Sequence, residues 1–176
     1  MRASANKLRR VSRRQIFVFA LCFVLLFGII TIGYKTALAQ TEPKIVPTYI
    51  TDTKLGIDLP IIEGGYNASS GEWQIDNNNA HFANLSAPLN SKTGATVIYA
   101  HNKDGLFANL SQLERGDTIS IRASNNQNYT YKYSNDTLAV PNDGSIFNYN
   151  GNYKLVLLSC YGTNSELRRL MYFEPL

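Results

Sequence analysis

Three kinds of side chain in this sequence could together carry out acyl transfer: a thiol, an imidazole and a guanidinium. Cys160 ends a strongly apolar run, and His101 ends a second run just before a polar turn. Arg168 and Arg169 follow the thiol by eight and nine residues. A thiolate can attack a carbonyl carbon, with histidine as acid or base and a fixed cation stabilising the thiolate or the developing oxyanion.

Each of these residues also has a purely structural interpretation, and position alone leaves both readings open. Free cysteine is often a small buried hydrophobe. His101 could be a turn histidine, and the two arginines could be a solvated pair at the start of a strand. His101 is nevertheless the better candidate base, because His81 lies in an Asn-rich stretch and is expected to be a structural or surface residue.

The elements that must position these residues are short β-rich runs separated by turn residues. The alternation over 129–133 predicts a strand with two distinct faces, whereas the apolar run 155–158 predicts one covered on both faces. Together with two short helices, at Asn78–Leu85 and Leu106–Leu113, the runs predict a closed or sandwiched all-β domain. The predicted strands are Ile45–Ile50, Leu55–Ile62, Thr96–His101, Thr118–Ala123, Asn128–Ser134, Thr137–Val140, Tyr153–Cys160 and Arg169–Glu174.

The loop after the thiol determines whether the thiol and a guanidinium can meet. If the loop between Cys160 and Arg169 joins neighbouring antiparallel strands, the end of one strand and the start of the next lie at the same edge of the sheet. The sequence then predicts that thiol and guanidinium share one rim of the domain.

The charge distribution argues against a nucleic-acid-binding domain. The chain has 176 residues, enough for one domain, and a formal net charge of +4. Residues 1–40 contain seven basic residues and no acidic one, whereas residues 41–176 contain 10 basic and 13 acidic residues, a net charge of −3. The basic character therefore belongs to the N-terminus, and we predict no nucleic-acid partner.

The N-terminal segment predicts a membrane anchor. Residues 16–34 are 19 residues without a charge, close to what a bilayer of about 30 Å requires. Six basic residues precede them, so residues 1–15 are predicted to stay in the cytoplasm and the rest to be extracellular, with residues 35–54 as a linker and 55–176 as the catalytic domain. A cleaved signal peptide is the alternative, because Ala37-Leu38-Ala39 matches a small-x-small cleavage site.

The remaining motifs give no support for a metal or cofactor. The sequence contains no CxxC, HExxH or EF-hand spacing, and no P-loop or GxGxxG. Of the two cysteines, Cys22 lies inside the predicted span, so the exported part holds the single thiol of Cys160. We therefore predict no metal site and no cofactor.

The order of these elements resembles the sortases, cell-surface cysteine transpeptidases of bacteria. A histidine, a cysteine about sixty residues later and an arginine just before the last strand follow an N-terminal anchor in both. The local motifs that carry the resemblance are Val97-Ile98-Tyr99-Ala100-His101-Asn102, Phe107-Ala108-Asn109-Leu110 with Leu113 and Gly116-Asp117, Tyr129-Thr130-Tyr131-Lys132-Tyr133, Val140-Pro141-Asn142-Asp143, Leu157-Leu158-Ser159-Cys160 and Leu55–Ile62. Ala100 replaces the family's usual glycine and Ser159 its usual threonine.

The resemblance implies an eight-stranded sortase β-barrel and a role for each matched residue. Cys160 would be the nucleophile, His101 the general acid to the leaving amine, and Arg169 the stabiliser of substrate and oxyanion. Arg168 is the reserve for Arg169, whose spacing from the cysteine, together with a Tyr-Gly pair, is most like the pilin-polymerising class C. Ser159 and Ala100, beside the catalytic positions, are expected to contribute to substrate binding.

The resemblance also implies the partners. A sortase cleaves an LPxTG-like C-terminal sorting signal of an exported protein, holds that protein as a thioester, and transfers it to an amine of a cell-wall precursor or pilin. A thiol hydrolase on the same fold and an inactive membrane-anchored binding module remain the alternatives.

Overall fold

Residues 43–176 are described by a computed structural model, and eight of their strands close into a β-barrel. This confirms the predicted all-β, eight-stranded fold with short helices. The proposed cytoplasmic tail and membrane segment, residues 1–34, lie outside the described residues. Within 43–176, no helix has the length and apolar character that a membrane crossing requires.

Residues 43–176 form ten strands and two short 3₁₀ helices. The helices are Ala108–Gln112 and Ser145–Asn148. The strands are β1 (Pro47–Asp52), β2 (Ile57–Gly64), β3 (Tyr66–Asn67), β4 (Glu72–Trp73), β5 (Ala80–Ala83), β6 (Ala95–Tyr99), β7 (Thr118–Ala123), β8 (Asn128–Ala139), β9 (Lys154–Tyr161) and β10 (Leu167–Pro175).

The barrel order is β1-β2-β5-β6-β9-β10-β8-β7, closing from β7 to β1, while β3 and β4 form a separate two-stranded sheet. Two neighbouring pairs are parallel, β2 with β5 and β6 with β9. The other barrel pairs are antiparallel. Because β6 and β9 run parallel, their carboxyl ends, where His101 and Cys160 lie, are at the same edge of the barrel.

An apolar cluster fills the barrel interior, and every barrel strand contributes to it. Ile50, Ile98, Leu155, Leu157 and Phe173 are among its fully buried members. Side chains alternate between the two faces of a strand, so one residue in two points inward. The predicted helix at 106–113 is a 3₁₀ helix, and its three leucines join this cluster as the spacing predicted.

A second apolar cluster lies on the outer face of four adjacent strands, β5, β6, β9 and β10. It contains Val97, Tyr99, Val156 and Leu170, and aromatic side chains such as Trp73 cover it. We call this set the outer cluster. It explains why the run 155–158 is apolar throughout: β9 has an apolar layer on each side, as the sequence predicted.

Three predictions about elements are wrong. The expected helix Asn78–Leu85 is instead strand β5, because its four residues Ala80–Ala83 are all buried between β2 and β6. The predicted strands Asn128–Ser134 and Thr137–Val140 are one strand, β8, which continues across the pair Asn135–Asp136. The linker over 35–54 ends too late, since Pro47–Asp52 is β1 of the barrel.

Candidate active site

The predicted nucleophile and one arginine lie opposite each other on adjacent strands, and the predicted acid follows the end of the neighbouring strand β6. Tyr99 of β6 is in register with Leu158 of β9, so two residues further on, His101 is level with Cys160. The β6–β9 ladder extends as far as Ala100, whose N–H donates to the Leu158 carbonyl at 3.2 Å. Cys160 in turn lies directly opposite Arg168 of β10.

We call His101, Cys160 and Arg168 the catalytic row. Neighbouring strands are about 4.8 Å apart, so the row spans roughly 10 Å, a distance that one extended peptide can bridge. All three residues are partly exposed, and Cys160 is a free thiol. Within residues 43–176 no hydrogen bond joins the Cys160 thiol to the His101 ring, so each side chain is positioned by its own strand.

Arg168 is the arginine that shares a face with the thiol. Directly opposite residues of an antiparallel pair point to the same side, with Cβ atoms about 4.5–5.5 Å apart. Arg168 Nη1 donates to the carbonyls of Ser165 and Leu167, at 2.9 and 3.0 Å. In the described part of the chain Nε and Nη2 of Arg168 have no acceptor, so three N–H donors remain for an anionic group or a carbonyl oxygen.

Arg169, the first choice from the sequence, has a different environment. It is opposite Ser159 and therefore points to the other side of the sheet from Cys160. Its Nε donates to Asp136 Oδ2 at 2.8 Å, and its guanidinium lies over the ring of Tyr161, 5.5 Å from the centroid. The hydroxyl of Tyr133 donates to the other Asp136 oxygen at 2.9 Å. Arg169 thus belongs to an ion pair at the mouth of the barrel.

Burial raises the pKa of Asp136, but the hydrogen bonds from Arg169 and Tyr133 outweigh it, so the pKa lies below its usual range. Asp136 therefore stays charged and keeps Arg169 engaged. The sequence analysis did not single out Asp136. Only the strand pairing could have identified it, because the residue opposite it is Met171 and the arginine is two positions away.

The two expected substrate-binding neighbours do not line the face that carries the thiol. Ser159 is 4% exposed and Ala100 2% exposed. Ala100 packs in the interior cluster, and Ser159 lies two residues after Leu157 of that cluster, on the same face of β9. Their contribution to substrate binding stays a prediction, and their side chains face the side opposite the thiol because neighbouring residues of a strand alternate.

The turn that joins β9 to β10 is short because its backbone adopts left-handed conformations. Gly162 has φ +93° and Ser165 φ +57°, and the Ser165 N–H donates to the Gly162 carbonyl at 3.2 Å. Glu166 accepts the Asn164 N–H at 2.9 Å. This turn sets the register that places Arg168 opposite the thiol, as the sequence predicted for adjacent antiparallel strands.

A second row of residues lies directly beneath the catalytic row, on the same face. His81, Tyr99, Leu158 and Leu170 follow one another across β5, β6, β9 and β10 in register. We call these four the support row. On each strand that contributes to both rows, the support-row residue is two positions from the catalytic-row residue. Two positions along a strand correspond to about 7 Å.

His81 is buried in this row, at 1% side-chain exposure, which agrees with a structural residue. Its ring stacks on Tyr99, with centroids 5.4 Å apart and planes at 22°. The Tyr99 hydroxyl donates to the Gln74 carbonyl. Gly64 makes this possible, because a Cβ at that position would collide with the Tyr99 hydroxyl. Burial raises the pKa of Tyr99 to about 12, so its hydroxyl stays protonated.

The described residues contain no set of side chains arranged to coordinate a metal ion. Among residues 43–176 no three His, Cys, Asp or Glu side chains are grouped closely enough to hold an ion.

A sortase-domain family model matches residues 50–174 of this sequence. A search among curated proteins gave no match. Several solved structures share the fold. Group B Streptococcus Pilus Island 1 sortase C2 is 18% identical, with TM-score 0.59 and coverage of 73% of this chain and 72% of that one.

Two further solved structures also share the fold. Sortase A from Corynebacterium diphtheriae, in a lid mutant, is 20% identical, with TM-score 0.60 and coverage of 78% and 74%. The pilus-related sortase C of Group B Streptococcus is also 20% identical, with TM-score 0.61 and coverage of 77% and 69%. At these identities the structures bear on the fold alone.

The family match assigns the closed barrel, with Cys160 near the end of β9, to the sortase-type cysteine transpeptidases. The family match covers most of the chain, and this protein belongs to the sortase family. Sortases act on proteins that carry sorting signals and on pilins. The predicted enzyme class is confirmed at this level.

Proposed function

We propose that Cys160 attacks the scissile carbonyl of an LPxTG-like sorting signal and holds the upstream protein as a thioester. The sulfur–carbon bond forms as the carbon–nitrogen bond of the substrate breaks. His101 gives its proton to the leaving amine. An incoming amine of a cell-wall precursor or pilin then forms a new carbon–nitrogen bond as the carbon–sulfur bond breaks, and its proton returns to His101 while Cys160 leaves as the thiolate. The observation that carries this proposal is the catalytic row, which brings thiol, imidazole and guanidinium to one face.

We assign the role of the cation to Arg168. A residue that stabilises an oxyanion must point to the side on which the thiol attacks, and it needs free donors there. Arg168 meets both conditions: it lies opposite Cys160 and retains three N–H groups without acceptors in the described residues. Arg169 points to the other side and is bound to Asp136.

This assignment affects the class of sortase. The class C spacing of nine residues counts from Cys160 to Arg169, whereas Arg168 gives eight. The Tyr161-Gly162 pair still matches the class C loop. We therefore keep a class C enzyme as the proposal, with a turn one residue shorter than that pattern.

The proposed location is the cell membrane, with the catalytic domain outside. Its support is the uncharged stretch 16–34 behind six basic residues. Alkaline extraction of membranes from expressing cells should leave the full-length protein in the pellet, and protease added to intact protoplasts should degrade residues after 35. A protein released into the medium and beginning at residue 40 would favour the cleaved signal peptide instead.

The decisive experiment is intact mass spectrometry of the full-length protein, in detergent, after incubation with a library of LPxTG-like peptides. We expect an acyl adduct whose mass names the motif, and its discharge to an added amine as a new amide. Cys160→Ala should give neither, while its melting temperature stays within a few degrees of the wild type.

Other outcomes would contradict the proposal. Discharge of the adduct only to water, with or without amine, would indicate a thiol hydrolase. Absence of any adduct, from folded protein whose Cys160 also resists thiol reagents, would indicate a binding module that keeps the barrel.

A further inference from the structure

His81 is a buried ionisable residue that the proposed mechanism does not use. Its Nε2 accepts the backbone N–H of Asp76 at 3.1 Å. An accepting Nε2 has a lone pair, so the proton of the neutral ring is on Nδ1. Nδ1 is buried and has no hydrogen-bond partner among residues 43–176.

A residue with only a packing role would not need this arrangement. Leucine or phenylalanine would fill the same space without a buried, unpaired N–H, which is costly in a folded protein. The ring nitrogens of His81 therefore call for an explanation beyond packing.

The partner of Nε2 is itself fixed. The Asp76 carboxylate accepts the N–H groups of Asn78 and Asn79 at 2.7 and 2.8 Å, and the Asn79 side-chain amide at 2.9 Å. Those bonds hold the carboxylate in its own turn, 3.5 Å from His81 Nε2. His81 thus receives a hydrogen bond from a rigid amide, which only the neutral ring can accept.

The groups facing His81 are Asp76 from the turn before β5, Tyr99 from β6 and His101 beyond β6. Burial lowers the pKa of His81, the Asp76 charge opposes that shift, and the nearby His101 adds to it. The hydrogen bond that Nε2 accepts from the Asp76 N–H and the burial of the ring both favour neutral His81.

We propose that His81 is a positioning residue for this reaction: it fixes the end of β6 through Tyr99 and, as a neutral ring, adds no positive charge next to His101. The inference rests on the proposed role of His101 as the acid. It acts through the support row, since Tyr99 lies opposite His81 and two residues before His101.

The first test needs no substrate. The chain contains two histidines, so ¹⁵N-histidine labelling of the full-length protein gives two imidazole spin systems, which His81→Gln assigns. We expect His81 to keep the Nδ1–H neutral form below about pH 6.5, where a free imidazole is half protonated. Protonation of His81 before His101, or a proton on Nε2 of neutral His81, would overturn the proposal.

The second test separates positioning from stability. His81→Leu should lower kcat on the order of tenfold to a hundredfold with KM changed less than about twofold, because a displaced acid affects the transition state more than binding. His81→Gln, whose side-chain oxygen can accept the Asp76 N–H, should recover most of kcat. Phe82→Leu, one residue away and facing the interior, is the matched control that lowers the melting temperature but not kcat.

The outcomes are distinguishable from failure of the proposed function. Equal kcat in His81→Leu and wild type, or equal losses in the leucine and glutamine variants, would overturn the positioning role. Wild-type protein without any peptide adduct would refute the proposed function instead, and the labelling experiment would still read the protonation order of the two rings.

Discussion

The interior cluster and the outer cluster use the same strands but satisfy their polar groups differently. In the interior, Tyr153 donates to Thr96 Oγ1 at 2.9 Å and Tyr131 to Asn90 Oδ1 at 2.6 Å. On the outer face, His81 keeps a buried Nδ1 without a partner in the described residues, and Cys160 is a free thiol.

This difference indicates that the two faces of the sheet have different roles. The interior, with a contribution from every barrel strand, stabilises the fold, whereas the outer face carries the groups that can react. Departures from complete polar satisfaction are expected at functional sites, where reactivity competes with stability. Variants on the two faces should therefore have different signatures: loss of stability inside, loss of activity outside.

The largest expected effect tests whether the reactive groups are confined to the outer face. Arg168→Gln should lower kcat by about 10²–10³, the usual result of removing one oxyanion donor, with little change in melting temperature. Arg169→Gln, the adjacent residue on the opposite face, should leave kcat within about tenfold and instead destabilise the barrel mouth. Steady-state transpeptidation and thermal melting measure both. A larger loss of kcat in Arg169→Gln than in Arg168→Gln would assign the catalytic role to Arg169.

The next effect compares two leucines of β9. Leu157→Ala removes a fully buried interior side chain and should cost about 2–5 kcal/mol of unfolding free energy. Leu158, by contrast, is the one partly buried member of the support row. Leu158→Ala should cost less stability but should lower kcat, since Leu158 lies between Tyr99 and Leu170. Urea denaturation and kinetics of the two variants are the measurement. Equal stability losses would show that the faces do not differ in packing.

A smaller effect is expected for the hydroxyl of Tyr99. Tyr99→Phe keeps the ring on His81 but loses the hydrogen bond to the Gln74 carbonyl, which should cost about 0.5–1.5 kcal/mol. Because that carbonyl precedes the turn at Asp76, amide exchange over residues 74–79 should accelerate while exchange in β9 stays unchanged. Acceleration throughout the barrel would indicate that the outer face is not a separate unit.

The smallest effect concerns pH. The pKa of Asp136 is lowered in the folded protein, so its charged form stabilises the fold above the unfolded value of about 3.9 and this contribution is lost as pH falls through the folded pKa. The stability advantage of wild type over Asp136→Asn should therefore be constant at pH 5–7 and shrink below about pH 4. Denaturation midpoints at each pH measure this advantage. An advantage at pH 3 as large as that at pH 7 would contradict the ion pair with Arg169.

Sequence by itself determined the elements whose patterns are local. Alternation and turn residues identified most of the strands, and the order of His101, Cys160 and the arginine pair identified the family before any coordinates. The sequence failed at Ala80–Ala83, because four residues with buried side chains on both faces show no period that separates a strand from a helix. It also divided β8 at Asn135–Asp136, where two polar residues suggested a turn.

Only the tertiary structure decided which side of the sheet each chemical group faces. Arg168 and Arg169 are adjacent and identical in type, and a shift of one residue in register exchanges their faces. The β9–β10 pairing places Arg168 opposite the thiol and Arg169 beside Asp136. In the same way, the pairing of β5 with β6 places His81 opposite Tyr99, two residues before His101. Register depends on contacts between residues distant in the chain, so a local pattern cannot contain it.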